Sequence, residues 1–145
     1  MKIKEIEELW GEDAVVNDSQ LGIESTKTHC LHHKYSTILN AEESALRILQ
    51  GEMFVLIKEK NEYFNGDIDQ EVLLKRNWIP FGQKLLKTKI PMYIDADEDI
   101  IRARYRIGMQ ERKIKYLQSI IDQVVRRSFF ISNALSDQKY KSGIV

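Results

Sequence analysis

The sequence predicts an all-α protein: two long helices forming an antiparallel hairpin plus a short N-terminal helix, assembling into a homo-oligomer. Three observations carry the helical part of that prediction. Glycine and proline are scarce, seven and two in 145 residues, and both prolines fall between residues 67 and 94, which leaves long breaker-poor stretches on either side. Apolar residues recur at three-, four- and seven-residue spacing across both stretches. Finally, 43% of the residues are hydrophobic, enough for one folded unit of this length rather than a disordered chain. Residues 1–145 therefore read as a single helical domain: an acidic N-terminal part (1–66) with one long helix, a connector (67–94) and a C-terminal oligomerisation helix (95–142).

Taken in order, Ile3, Ile6, Leu9 and Trp10 mark a short amphipathic helix over residues 2–10, with Gly11 expected to end it. So short a helix is stable only when docked. Asn17 and Asp18 supply an N-cap for a helix running from about Ser19 to Tyr63, where Asn65-Gly66 gives the stop signal. Its stripe is Leu31, Tyr35, Ile38, Ala45, Leu49, Met53 and Leu56, widened by Leu39, Leu46 and Ile57. Gly22 and Gly51 weaken it by roughly 1 kcal/mol each relative to alanine.

The connector holds Pro80, Gly82 and Pro91 among scattered apolar residues and has room for one short helix or extended segment. The second long helix begins at Asp95, where Asp95-Ala96-Asp97-Glu98 sets an N-cap acceptor three residues ahead of a carboxylate. It continues to about Lys141. Ile100, Ile107, Ile114 and Ile121 repeat every seven residues, interleaved with Ala103, Gln110, Leu117, Val124 and Ile131, which is a heptad seam. Beside it lies a second stripe of Ile101, Tyr105, Tyr116, Ile120, Phe129 and Phe130. One partner helix cannot cover so wide an apolar face. The hairpin would use one stripe and neighbouring subunits the other, with Ile107, Ile114, Leu117, Ile121, Val124, Phe129 and Ile131 as oligomerisation residues. The competing architecture is a compact monomeric three-helix bundle.

The formal net charge of zero conceals a strong asymmetry. Residues 1–74 carry 7 Lys/Arg and 15 Asp/Glu, and residues 75–145 carry 15 and 7. Either the halves pair with each other, or the basic half faces a polyanion. Between residues 75 and 115, Lys75, Arg76, Lys84, Lys87, Lys89, Arg102, Arg104, Arg106, Arg112, Lys113 and Lys115 stand among Trp78, Phe81, Tyr93 and Tyr105. Single-strand binding by phosphate attraction and base stacking uses that mixture. Arg126, Arg127, Phe129 and Phe130 form a further group. None has the spacing of a helix-turn-helix, a zinc finger or an RRM, so sequence-specific duplex reading is not indicated.

No nucleotide-binding glycine loop, HExxH or GxSxG motif is present, so the chain reads as no enzyme and needs no cofactor. His29, Cys30, His32 and His33 form the one metal-like cluster, but no nearby carboxylate completes a shell, and an ordinary polar helix face is the better account; no metal site is assigned. A lone cysteine, Cys30, excludes an intrachain disulfide and fits a reducing compartment. No apolar run approaches the roughly 18–20 residues of a membrane span, so no membrane association is expected.

Two segments resemble the UvsY family of phage recombination mediators. Ile57-Lys58-Glu59-Lys60-Asn61-Glu62-Tyr63-Phe64-Asn65-Gly66 is similar to the family's LKAR-type element followed by a two-aromatic helix end and a glycine. The second segment starts near Lys87-Thr88 and runs through Tyr93-Ile94-Asp95-Ala96-Asp97-Glu98-Asp99 to Arg127-Ser128-Phe129. It is similar to the family's linker, acidic helix start and RGF-like element. With matching length and helix order, the resemblance covers the chain from about residue 15 onward.

The resemblance implies a ring-like homo-oligomer, a heptamer, built largely through the C-terminal helix and acting in the host cytoplasm. It implies binding to single-stranded DNA and engagement of two phage proteins, the single-strand-binding protein and a RecA-like recombinase, helping the second replace the first. It assigns DNA binding to Lys58 and Lys60. Lys75, Arg76, Lys84, Lys87, Lys89 and Arg127 complete the expected DNA-binding set. Two departures bear on the element: Lys60 stands where the family has an arginine, losing the bidentate fork, and Glu59 adds a negative charge between the lysines. Residues two apart on a helix also point about 200° from each other, so Lys58 and Lys60 cannot both face one strand. The alternative function is a coiled-coil scaffold or adaptor without DNA binding, whose basic half simply answers its acidic half.

Overall fold

A computed structural model describes residues 1–143, and every regular element among them is helical. Five α-helices follow in order: α1 (Ile3–Asp13), α2 (Leu21–Asn65), α3 (Gln70–Arg76), α4 (Ile90–Asp95) and α5 (Glu98–Lys141), with 3-10 turns at Asp18–Gln20 and Lys87–Lys89. The contacts divide the chain into two compact units. Unit 1 comprises Met1–Glu43 and the chain from Arg112 on, and unit 2 comprises Ser44–Glu111.

Several element ends differ from expectation for local reasons. Helix α1 does not stop at Gly11 but runs to Asp13, because the Asp13 carboxylate is anchored by Lys34 Nζ at 2.6 Å and Tyr35 Oη at 2.8 Å. Asn17 caps the 3-10 turn that feeds α2, its Oδ1 accepting from the Ser19 amide at 3.0 Å. At the far end of α2 Gly66 is left-handed, φ +84°, and the Asp67 amide bonds the Glu62 carbonyl at 2.9 Å. That is a Schellman-type stop.

The start of α5 is corrected by two residues. Its cap is Asp97, whose Oδ1 accepts from the amides of Asp99 (3.0 Å) and Ile100 (3.3 Å). Asp95 instead closes α4 and pairs with Arg104 at 2.7 Å. The connector carries two short helices rather than one; Asp69 caps α3, and Pro91 in the first turn of α4 needs no amide partner.

Unit 1 packs Ile6 of α1, Leu31 and Tyr35 of α2, and Leu117, Ile120 and Val124 of α5 into one core. Trp10 meets Tyr35 edge to face, with centroids 5.4 Å apart, so the short helix is docked as its length requires. The α2 and α5 segments of this unit run antiparallel, since Glu24 meets Arg127 at 2.6 Å and Glu42 meets Lys113 at 3.0 Å.

Unit 2 packs Met53, Leu56, Phe64, Ile90, Ile94 and Ile100, joined by half-buried Trp78, Phe81 and Ile107. Tyr63, Phe64, Trp78, Phe81 and Tyr93 form a chain of ring contacts with centroids 5.0 to 6.2 Å apart. These connector aromatics are therefore committed to one another; of the set proposed for stacking, Tyr105 is the most exposed ring, and Tyr93 is exposed but in contact with Phe64 and Phe81.

The oligomerisation set splits. Ile114, Leu117, Val124 and Ile131 are buried within the single chain, and Ile107 and Ile121 are half-buried against its two cores. The seam faces the chain's own helices because the core residues of α1 and α2 stand opposite it. Phe129 is 71% exposed, and Ile101, Tyr105, Val125 and Phe130 are exposed with it.

Candidate nucleic-acid interface

A side chain that binds a phosphate backbone must reach solvent with its charge uncommitted. The eight residues expected to do this fall into three groups. Lys58 is 76% exposed, with a loose 3.8 Å contact to Glu62. Lys75, Lys84, Lys87 and Lys89 are also exposed, and none forms an ion pair among the described residues. Arg76 is exposed but engaged, its Nε lying 2.6 Å from Glu59 Oε2. That pair also answers the charge that Glu59 places between the two lysines.

Lys60 and Arg127 require correction, because both are internal. The Lys60 side chain is 5% exposed, with Nζ 2.9 Å from Asp97 Oδ2, 3.0 Å from Asp99 Oδ2 and 3.9 Å from the centre of the Trp78 ring. It ties the end of α2 to the start of α5, while Lys58 points the other way as helix geometry demands. Arg127 is buried against Glu24, also bonding the Glu24 carbonyl and Thr28 Oγ1 (3.0 Å). Neither guanidinium nor ammonium can leave without stranding a carboxylate in a poorly solvated site.

Their carboxylate partners respond accordingly. The Lys60 hydrogen bond holds Asp99 below the usual carboxylate range, outweighing the opposing effect of burial, with help from Arg102 and the Trp78 ring N–H at 3.1 Å. Glu24 is likewise lowered, first by its hydrogen bond from Lys27 and then, against partial burial, by Arg127.

Unit 2 also contains a groove of about 780 Å3 that no motif announced. Arg47, Gly51, Val55 and Glu52 of α2 form one wall, Asp99, Arg102 and Arg106 of α5 the other, and Arg76 and Trp78 lie between. Four arginines and two carboxylate residues thus line the groove; Arg76 is engaged by Glu59, and Asp99 shares the Lys60 ammonium with Asp97. Arg47 and Arg106 are exposed and form no ion pair among the described residues. Arg102 has only surface contacts to Glu98 (3.4 Å) and Asp99 (3.8 Å).

Arg47 escaped notice in the sequence because it lies in the acidic half. The available signal was helical phase. Arg47 and Lys58 are eleven residues apart, which places them within about 20° of each other on α2.

The family described as recombination, repair and ssDNA binding protein UvsY matches residues 9–144. The chain belongs to the UvsY family. It is accordingly a recombination mediator and not an enzyme. No curated protein matches it by sequence. Its fold is similar to that of the bacteriophage T4 recombination mediator protein UvsY in three crystal lattices, each at 14% identity. The type IV lattice gives a TM-score of 0.83 over 97% of this chain and 99% of that one. Type I gives 0.80 over 94% and 98%, and type II gives 0.79 over 98% of each.

Proposed function

We propose that this UvsY-family chain self-associates, binds single-stranded DNA through its phosphate backbone, and helps a RecA-like recombinase replace a single-strand-binding protein on that DNA. The observation that carries this reading is the set of exposed lysines, Lys58 with only a loose contact to Glu62 and Lys75, Lys84, Lys87 and Lys89 with no ion pair among the described residues, in a chain of this family. In the proposed assembly the two long helices fold back as a hairpin, and the exposed α5 residues Ile101, Tyr105, Phe129 and Phe130 meet neighbouring subunits in a ring of seven. Each subunit then adds its own weak contacts to a shared strand, so the later contacts form at high effective concentration. The host cytoplasm is the proposed location.

Fluorescence anisotropy of labelled oligo-dT, titrated at low and high salt with a duplex control and light scattering on the same sample, tests this reading. The expected result is single-strand-preferring binding by an oligomer that weakens steeply with salt. An oligomer that ignores DNA at low salt would leave a scaffold or adaptor in its place.

A further inference from the structure

We infer that the groove of unit 2 is the seat of the DNA backbone, with Arg47, Arg102 and Arg106 as phosphate contacts, Lys58 as the next contact along α2, and Lys60 as a positioning residue that does not touch DNA. This rests on the single-stranded DNA reading above and names its site. The groove walls bring Arg47 opposite Arg102 and Arg106, and guanidinium groups suit phosphate oxygens because they donate in a planar fork. Lys58 lies on the same face of α2 as Arg47, about 16 Å further along the axis at 1.5 Å per residue. A strand leaving the groove beside Arg47 and following α2 therefore meets the exposed lysine next. Exposed Ile48 and Val55 at the same wall offer apolar surface for bases.

Lys60 acts from behind. Its ammonium pairs with Asp99, which lines the groove, as well as with Asp97, and covers a face of Trp78, whose ring N–H is fixed by the Asp99 carboxylate. Without Lys60 the freed Asp99 carboxylate faces the strand and draws Arg102 toward itself. Glu52 is the other carboxylate of the groove lining, and it forms no ion pair among the described residues.

The number of phosphate contacts is read from the slope of log affinity against log salt, which changes by about 0.7 per contact on a single strand. The full-length chain and its variants are titrated with oligo-dT and oligo-dA from low to high salt, with light scattering and far-UV circular dichroism as controls. Arg47→Gln and Arg106→Gln each flatten the slope by about 0.7 per subunit bound and weaken both oligonucleotides by the same factor. Glu52→Gln strengthens binding. Lys60→Met weakens binding without flattening the slope, and adding Asp99→Asn recovers affinity.

A wild-type chain that ignores DNA overturns the single-stranded DNA reading itself. A wild type that binds while Arg47→Gln and Arg106→Gln keep its slope overturns the groove alone, as does a change in oligomer mass with DNA binding intact. A flattened slope in folded Lys60→Met overturns the positioning role.

Discussion

Leu117→Ala separates a helix seam used inside one chain from a seam used between chains. Leu117 is fully buried among Ile6, Leu31, Tyr35, Ile120 and Val124, so its truncation removes apolar contacts and leaves a cavity that the surrounding helices fill only in part. Such changes cost about 2–5 kcal/mol. At roughly 3 °C per kcal/mol for a chain near 150 residues, a loss of about 3 kcal/mol lowers the melting midpoint by about 10 °C. Urea and thermal unfolding, each at two protein concentrations tenfold apart, supply the measurement, with sizing of the folded sample alongside. The shift should be equal at both concentrations, because the lost contacts are internal, and the oligomer should keep its mass. Phe129→Ala, which removes an exposed ring, should reverse the pattern: lighter particles, with an effect that fades at high concentration. A Leu117→Ala oligomer that is lighter, with a dissociated chain that unfolds at the wild-type midpoint, would instead place Leu117 between chains.

Two further outcomes follow from the ends of helices. Burial pushes the Asp13 carboxyl up, but hydrogen bonds from Lys34 and Tyr35 overcome it and hold the folded value below the ordinary 3.8. The stabilisation is therefore present above that value and lost as the pH falls below it. Acid titration of Trp10 fluorescence in a Trp78→Phe background should show α1 releasing in that window, and Asp13→Asn should abolish the transition. Gly66→Ala places a side chain at φ +84° and should cost about 1–2 kcal/mol in urea unfolding, although no neighbouring atom lies within 4 Å of the added carbon.

The long helices were legible because their signals are local. Gly66 stops α2 and the carboxylates near Asp97 start α5 through contacts within a few residues of sequence. Asp95 and Asp97 both sit in acidic helix-start patterns, and what separates them is tertiary: Ile90 and Ile94 are buried in the core of unit 2, which keeps α4 helical up to Asp95. Periodicity likewise reported that one face of α5 is buried, but not against what. Ile114, Leu117 and Val124 fit a seam between subunits as well as one within a chain.

The fate of the basic residues was less legible still. Lys60 and Lys58 carry the same charge two positions apart, yet only Lys60 meets Asp97 and Asp99, and Arg127 finds Glu24 across 103 residues of sequence. The opposed charges of the two halves of the chain have a related explanation. Each compact unit combines parts of both halves or spans their junction, and each carries eleven Lys/Arg and eleven Asp/Glu. Pairing and polyanion binding are thus served together, with the pairing internal and the remaining bases exposed.

The two units also differ in how the chain supplies them. Unit 2 is one uninterrupted stretch, Ser44–Glu111, whereas unit 1 joins residues 1–43 to the chain beyond Arg112. A ribosome adding about 5–20 residues per second finishes the first before it delivers the remainder of α5, some 2–6 s later. Ile6, Leu31 and Tyr35 are made at least 82 residues, or about 4–16 s, before Leu117, Ile120 and Val124, so the nascent N-terminal segment must keep its apolar stripe soluble until its partner emerges.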